Sequence, residues 1–182
     1  MDLVSKARDF ARAKHAGQFR GGAAREPYES HLAEVAALVA GFGGGAEMQA
    51  AAWLHDTVED CGVLPDEIAL LFGPEVAGYV AEVTDDKSQH KADRKLAQVA
   101  HAPSKSPGGA LVKICDKMAN VRAVGASPPL EWSVMRQREY LRWAAEVVGL
   151  LPAAADVARP AFAEVLARSQ ALVEARQSAP SR

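Results

Sequence analysis

Four side chains able to bind metal or move protons fall within six residues of one another. They are His55, Asp56, Glu59 and Asp60, inside the stretch LHDTVED. Apolar residues flank them, AAWL before and CGVL after, and each of the four is costly to desolvate without a partner. A continuous α-helix turns about 100° per residue, which puts Glu59 about 40°, Asp56 about 100° and Asp60 about 140° from His55, all on one face. Ala51, Leu54 and Val58 fall on the opposite side. Three carboxylates this close repel one another, and acids near a helix C-terminus oppose its macrodipole. A divalent cation would relieve the repulsion, and imidazole with carboxylate suits Zn²⁺, Mn²⁺ or Fe²⁺. Two readings stay open on this window alone, a metal site and a solvated acidic face.

Further ligands lie elsewhere in the chain. His31 follows a glycine-containing loop at the start of an apolar helical run, and alone reads more readily as a helix-start or core histidine than as a ligand. Asp116 interrupts the apolar stripe of LVKICDKMANV, where a charge needs a partner. Alone, it would pair with Lys113 or Lys117. The order His31, His55–Asp56, Asp116 on three helices resembles the HD superfamily of metal-dependent phosphohydrolases.

These residues must be held by helices, because the apolar spacing is helical and no alternating strand is evident. LVSKARDFARAKHAG puts Leu3, Ala7, Phe10 and Ala11 on one stripe. Ser30 can cap HLAEVAALVA, which stops at GFGGG. AEMQAAAWLHDTVEDC reads as one helix ending at Gly62. Pro65 and Pro74 open the short helices PDEIALLF and PEVAGYVAEV. TDDKSQHKADRKLAQVAHAPSKSP is part loop and part helix. Strong helices follow in GGALVKICDKMANVRAV and EWSVMRQREYLRWAAEVVGLL, the latter broken by Pro152. The last spans about 158–176, and the tail QSAPSR is expected to fray. The sequence predicts an all-α helical bundle forming a single HD-type domain over 1–182, with a core of about 3–150.

Bulk properties exclude other classes. The 182 residues contain 49% hydrophobic and 24% charged side chains and carry a formal charge of −2, normal for a soluble globular protein. That charge gives no general attraction to nucleic acid, and 6% aromatic content argues against an extended base-stacking platform. Cys61 and Cys115 form no metal-type pair and read as reduced core thiols. MDLVSKARDF lacks the apolar core of a signal peptide, and no window reaches membrane-spanning length. A cytoplasmic location is the expectation, with the oligomeric state left open.

A closer resemblance rests on HAGQFRGGAAREPYESHL, AAWLHDTVED, VTDDK, HAPSKSPGGALVKICDKMANVR and REYLRWAAEVV. These segments resemble the hydrolase domain of the RelA/SpoT family, and in particular the small stand-alone alarmone hydrolases that include the metazoan SpoT homologue. The resemblance implies hydrolysis of the alarmone (p)ppGpp at the 3′ position to pyrophosphate and GDP or GTP, with Mn²⁺ as the metal. It implies His31, His55, Asp56 and Asp116 as metal ligands and Glu59 and Asp60 as the pair serving the attacking water. Arg20, Lys87, Asn120 and Tyr140 match nucleotide-contacting positions, with Arg122 beside them. The synthetase domain of alarmone-making relatives is not expected here.

The residue types suit that chemistry. An ion held by two imidazoles and two carboxylates acts as a Lewis acid toward a phosphoryl group. A neighbouring carboxylate can take a proton. Arginine grips phosphate bidentately or stacks on a purine, whereas lysine acts as a point charge. Three positions depart from the family pattern: Gly21 replaces a lysine, Leu32 replaces a proline, and Cys115 replaces a small residue. Gly21 keeps open another nucleotide substrate such as NADPH. A catalytically inactive alarmone-binding module is the remaining alternative, against which Glu59 and Asp60 argue. His15 reads as a surface or capping residue at a helix end, and His90 and His101 as solvated. HKADRKLAQ reads as an exposed helical face, with Arg94 the exception to test.

Overall fold

The computed structural model describes residues 2–178. Within them the chain forms ten α-helices: α1 (Leu3–Lys14), α2 (Tyr28–Gly41), α3 (Ala46–Leu54), α4 (Thr57–Cys61), α5 (Pro65–Phe72), α6 (Pro74–Val83), α7 (Lys91–His101), α8 (Pro107–Ala126), α9 (Val134–Leu150) and α10 (Arg159–Ser178). The described residues contain no strand, only the isolated bridges Phe19–Pro27 and Gly22–Pro129. The all-α expectation holds. No described helix is long and apolar enough to cross a membrane.

The core is built around α8. Ser106 caps it by accepting the Gly109 N–H at 3.1 Å, and Pro107 opens its first turn. Beyond that turn it is apolar on nearly every side, with Val112, Ile114, Cys115, Met118 and Val121 buried, as a helix surrounded by others must be. Helices α2, α3, α6, α9 and α10 pack against it. Lys113, Asp116 and Lys117 are buried in the same helix, so three charges sit inside the bundle. α3 contributes a second apolar piece, Ala50 to Leu54, all buried.

Two expected boundaries change. Ser30 does not cap α2. That helix opens three residues earlier, behind Pro27, because the Tyr28 N–H finds the Gln18 carbonyl at 2.9 Å across the preceding loop. Ser30 Oγ instead donates to the Pro27 carbonyl at 2.8 Å. More consequentially, 46–61 is two helices broken at His55 and Asp56. The His55 Nδ1–H takes the Ala52 carbonyl at 2.7 Å, and the Thr57 hydroxyl takes the Leu54 carbonyl at 2.6 Å. Side chains thereby satisfy the last carbonyls of α3 and end its ladder. Gly62 stops α4 as expected, in the left-handed region at φ 67°. Helix α9 starts at Val134 behind the Ser133 cap rather than at Glu131. Gln177 and Ser178 of the tail are still helical; its last four positions, 179–182, lie outside the described residues.

The loop between α1 and α2 is pinned at both ends. Arg20 N–H bonds the Glu26 carbonyl at 2.9 Å, and Leu130 N–H bonds the Gly21 carbonyl at 3.3 Å. A Cβ at Gly22 would lie 2.2 Å from the Ser127 carbonyl oxygen, so only glycine lets this loop approach the end of α8 so closely.

Candidate metal centre and active site

The helix break sets the centre of the site. Asp56 has φ −99° and ψ −4°, a sparsely populated region. Its carboxylate turns back toward the two imidazoles. Asp56 Oδ2 lies 3.1 Å from His55 Nε2 and 3.5 Å from His31 Nε2. Asp116 Oδ1 is 3.6 and 3.5 Å from the same two nitrogens, which are themselves 3.2 Å apart. Ligand atoms of His31, His55 and Asp116 all lie within 4.8 Å of one another. The four predicted ligands, on α2, the α3–α4 break and α8, therefore converge on one point.

The donor set fits a cation at that point. His55 Nδ1 donates to the Ala52 carbonyl, which turns Nε2 inward; His31 Nε2 faces the same point, its Nδ1 buried without a partner. Burial would lower the His55 imidazole, but Asp56 and Asp116 outweigh it and hold it well above its ordinary value, a positive charge in the place a divalent ion would take. Two imidazole nitrogens and two carboxylate oxygens form the N₂O₂ set that a divalent transition ion takes. Burial alone would raise both carboxyls. For Asp56 the imidazoles of His55 and His31 outweigh it, and for Asp116 Lys117 and the same imidazoles do. Both carboxyls are held well below the usual range, ionised and ready to bind a metal.

The ligands are braced from behind. Asn120 Nδ2 donates to Asp116 Oδ1 at 2.6 Å, and Arg20 Nη2 donates to Asn120 Oδ1 at 2.9 Å. Lys117 Nζ lies 3.7 Å from Asp116 Oδ2 and 4.2 Å from the centre of the Trp143 ring. Burial and then Lys113 push the Lys117 ammonium down to about 8, against the pull of Asp116. Tyr28 Oη donates to Asp56 Oδ2 at 2.6 Å. Cys115, although next to Asp116, is buried and its thiol is pushed up to about 12. It is held as a neutral, inert group.

Glu59 and Asp60 sit at the start of α4, immediately beyond the ligands, and both meet basic groups. Glu59 Oε1 lies 3.4 Å from Arg94 Nη1 and 3.9 Å from Lys87 Nζ, and Asp60 Oδ1 lies 2.5 Å from Lys87 Nζ. The Glu59 carboxyl is nevertheless raised, first by burial and then by Asp85, Asp56 and Asp60. A carboxylate poised this way is a reasonable proton acceptor.

The five predicted nucleotide-contacting residues fall into three places. Arg20, Asn120 and Tyr140 border one hollow of about 180 Å³. Lys87 does not border that hollow and pairs with Asp60. Arg122 leaves α8 on a different face from Asn120, two residues and about 200° away. It pairs with Glu34 at 2.5 Å, beside a hollow of about 160 Å³ that Arg20 and His31 also border.

Some of the site has no counterpart in the sequence reading. Between α7 and α9 lies a cavity of about 780 Å³, bordered by Lys91, Arg94, Lys95, Trp132, Arg136 and Tyr140 among others. HKADRKLAQ is thus a cavity wall as well as an exposed face, since α7 buries no residue fully. Arg136 and Lys91 lie over the Trp132 ring at 4.6 and 5.8 Å, so the wall offers cations and aromatic faces together. No local spacing announces this wall, because its residues come from α7, α9 and the segments that precede them. His15 is the C-cap of α1, as the capping reading expected, but it is buried, 3% exposed, rather than at the surface. Tyr28 carried a signal: it lies three residues before His31, hence on the same side of a helix. His90 and His101 are exposed, as expected.

The description of the HD domain family matches residues 7–141. Guanosine-3′,5′-bis(diphosphate) 3′-pyrophosphohydrolase MESH1 of Mus musculus is 44% identical over 145 residues, 79% of this chain and 81% of that protein. The MESH1 of Drosophila melanogaster is 36% identical over 141 residues, 76% of this chain and 79% of that protein. The solved structure of a metazoan orthologue of SpoT that hydrolyses ppGpp superposes with a TM-score of 0.80 at 31% identity, covering 97% of this chain and 96% of that one. The matched span 7–141 contains all four converging candidate ligands, Glu59 and Asp60, and this chain belongs to the HD-domain family, where it groups with the MESH1 proteins.

Proposed function

We infer that this protein hydrolyses (p)ppGpp at the 3′ position, releasing pyrophosphate and GDP or GTP, and that it depends on a divalent metal. The observation that carries the reading is the convergence of His31, His55, Asp56 and Asp116 beside Glu59 and Asp60, in a chain 44% identical to a curated 3′-pyrophosphohydrolase. The donor set suits Mn²⁺, the ion proposed here, as well as Zn²⁺ and Fe²⁺. When bound, such an ion polarises a phosphoryl oxygen and offsets the charge that develops on phosphorus.

The chain's own residues supply the rest. Water adds to phosphorus as the ester bond to the 3′ oxygen breaks. Glu59, with Asp60, accepts the water's proton, and Lys87 and Arg94 orient the two carboxylates. Arg20, Asn120 and Tyr140 hold the nucleotide at their common hollow, and Lys87 offers a charge to its phosphates. Arg122, on the neighbouring face, contributes through the hollow it shares with Arg20. The large cavity between α7 and α9 gives room for a nucleoside and presents cations and aromatic rings to an anionic, ring-bearing ligand. The reading takes 1–182 as one domain, supported by the packing of α10 on α8 and α9. The free thiols Cys61 and Cys115 accord with a reducing cytoplasm.

Purified protein loaded with Mn²⁺ should release pyrophosphate from ppGpp, one equivalent per GDP formed. No release from folded, metal-loaded protein would overturn the reading. Phosphate release from NADPH by the same preparation, with ppGpp untouched, would redirect the substrate.

A further inference from the structure

The HAGQ segment and the tyrosine of EPYESH have no part in the chemistry above, yet they form one continuous column ending on a metal ligand. His15 follows the last turn of α1 and carries its ring into the interior. Its Nδ1 lies 2.8 Å from Gln18 Oε1, an oxygen that can only accept, so Nδ1 carries the proton. The imidazole lies flat on the Tyr28 ring, with centroids 4.8 Å apart and planes 10° from parallel. Backbone ties close the unit, since Tyr28 N–H bonds the Gln18 carbonyl at 2.9 Å. Gln18 Nε2 reaches Cys61 Sγ at 3.8 Å, at the end of α4. The Tyr28 ring also stands edge-on to His31 at 5.6 Å. At its head, Tyr28 Oη donates to Asp56 Oδ2 at 2.6 Å.

Asp56 needs such a support. It lies at a helix break, its side chain caps nothing, and both imidazole Nε2 atoms face its one oxygen, Oδ2. A phenol is well matched to the task. Its O–H fixes the carboxylate while adding no positive charge that would repel an arriving cation, as an ammonium or guanidinium would. We propose that Tyr28, held by the stacked His15, is a positioning residue that orients the Asp56 carboxylate for the metal and so sets metal affinity. The proposal rests on the metal-site reading above. Hydrogen-bond partners of metal ligands are typically worth about 10–100-fold in metal affinity or activity.

Calorimetric titration with Mn²⁺ alone, on metal-free wild type, Tyr28→Phe and His15→Ala, tests it. Tyr28→Phe keeps the ring and the stack and removes only the donor. It should bind Mn²⁺ about 10–100-fold more weakly, with a metal-free melting temperature near that of wild type and kcat recovering as Mn²⁺ is raised. His15→Ala should shift affinity the same way by less, and serves as the test should Tyr28→Phe fail to fold. Wild-type Mn²⁺ affinity in folded Tyr28→Phe would overturn this proposal alone. Wild type that binds no Mn²⁺ would overturn the metal-site reading and this proposal with it. A variant that loses melting temperature but keeps its affinity would mark Tyr28 as packing only, and overturn it too.

Discussion

Glu59 is a carboxylate pulled two ways, and the balance has a kinetic consequence. Arg94 and Lys87 favour its ionised form, while burial, Asp85, Asp56 and Asp60 disfavour it and win, raising its pKa from the ordinary 4.5. A proton acceptor must be ionised to work. Activity should therefore be complete above the Glu59 pKa and fall as the pH drops through it; that pKa is raised above 4.5 in the metal-free protein, and a cation bound at Asp56 pulls it back down. Glu59→Gln should lower kcat by about 10²–10⁴-fold while leaving Mn²⁺ affinity near wild type, and its residual activity should lack that limb. An acid limb that persists unchanged in Glu59→Gln would contradict the assignment. Asp116→Asn addresses a different function, since it removes a ligand charge. Weakened Mn²⁺ binding by titration is the expected result, with activity lost in proportion.

At the scale of the element, the decisive feature is the break between α3 and α4. An unbroken helix would spread the four residues over about 140° of its surface. The break instead turns Asp56 back toward His31 and His55, and leaves Glu59 and Asp60 in the first turn of a new helix. Gly62 ends that helix at φ 67°, a conformation costing about 1–2 kcal/mol for other residues. Gly62→Ala should lower stability by that order in denaturant melts. The Arg20 loop depends on another glycine. A methyl group at Gly22 would meet Ser127 backbone oxygen at 2.2 Å, forcing the loop away from α8 and Arg20 away from Asn120. Gly22→Ala should raise KM for ppGpp about tenfold, the worth of one charge-assisted hydrogen bond, with the helical circular-dichroism signal unchanged. An unaltered KM would mean that Arg20 does not hold the nucleotide.

Across the whole molecule, the site is distributed over α2, α3, α4 and α8, and α8 is held from outside by α10, beyond the HD-matched span. Arg176 of α10 donates to the terminal carbonyls of α8, reaching Val124 at 3.3 Å as well as Gly125 and Ala126, and to Gln137 Oε1 at 3.2 Å. These are carbonyls that no intrahelical donor serves, so a cation there is doubly favourable. Arg176→Ala should cost about 1–3 kcal/mol, visible as a lower melting temperature, with Mn²⁺ affinity retained because the clamp grips α8 about two turns beyond Asp116. Chelation should act in reverse. An ion bound only by the folded state stabilises it by about 2.7 kcal/mol at a hundredfold excess over Kd, so removing it should lower both activity and melting temperature, and Mn²⁺ should restore both.

The sequence by itself determined the helical class and most helix starts and stops, and singled out the four candidate ligands. Those are encoded locally, by apolar spacing, by Pro and Gly at helix ends, and by the distinctive order of His31, His55–Asp56 and Asp116. Periodicity projected one helix through LHDTVED, because nothing in that spacing records that a histidine and a threonine side chain take the carbonyls of α3. The cavity wall of Lys91, Trp132 and Arg136, the burial of His15 and the Tyr28–Asp56 bond were decided by the tertiary structure. Each joins residues from separate elements, and the distance between them is set by how the helices pack around α8, a quantity that no local pattern carries.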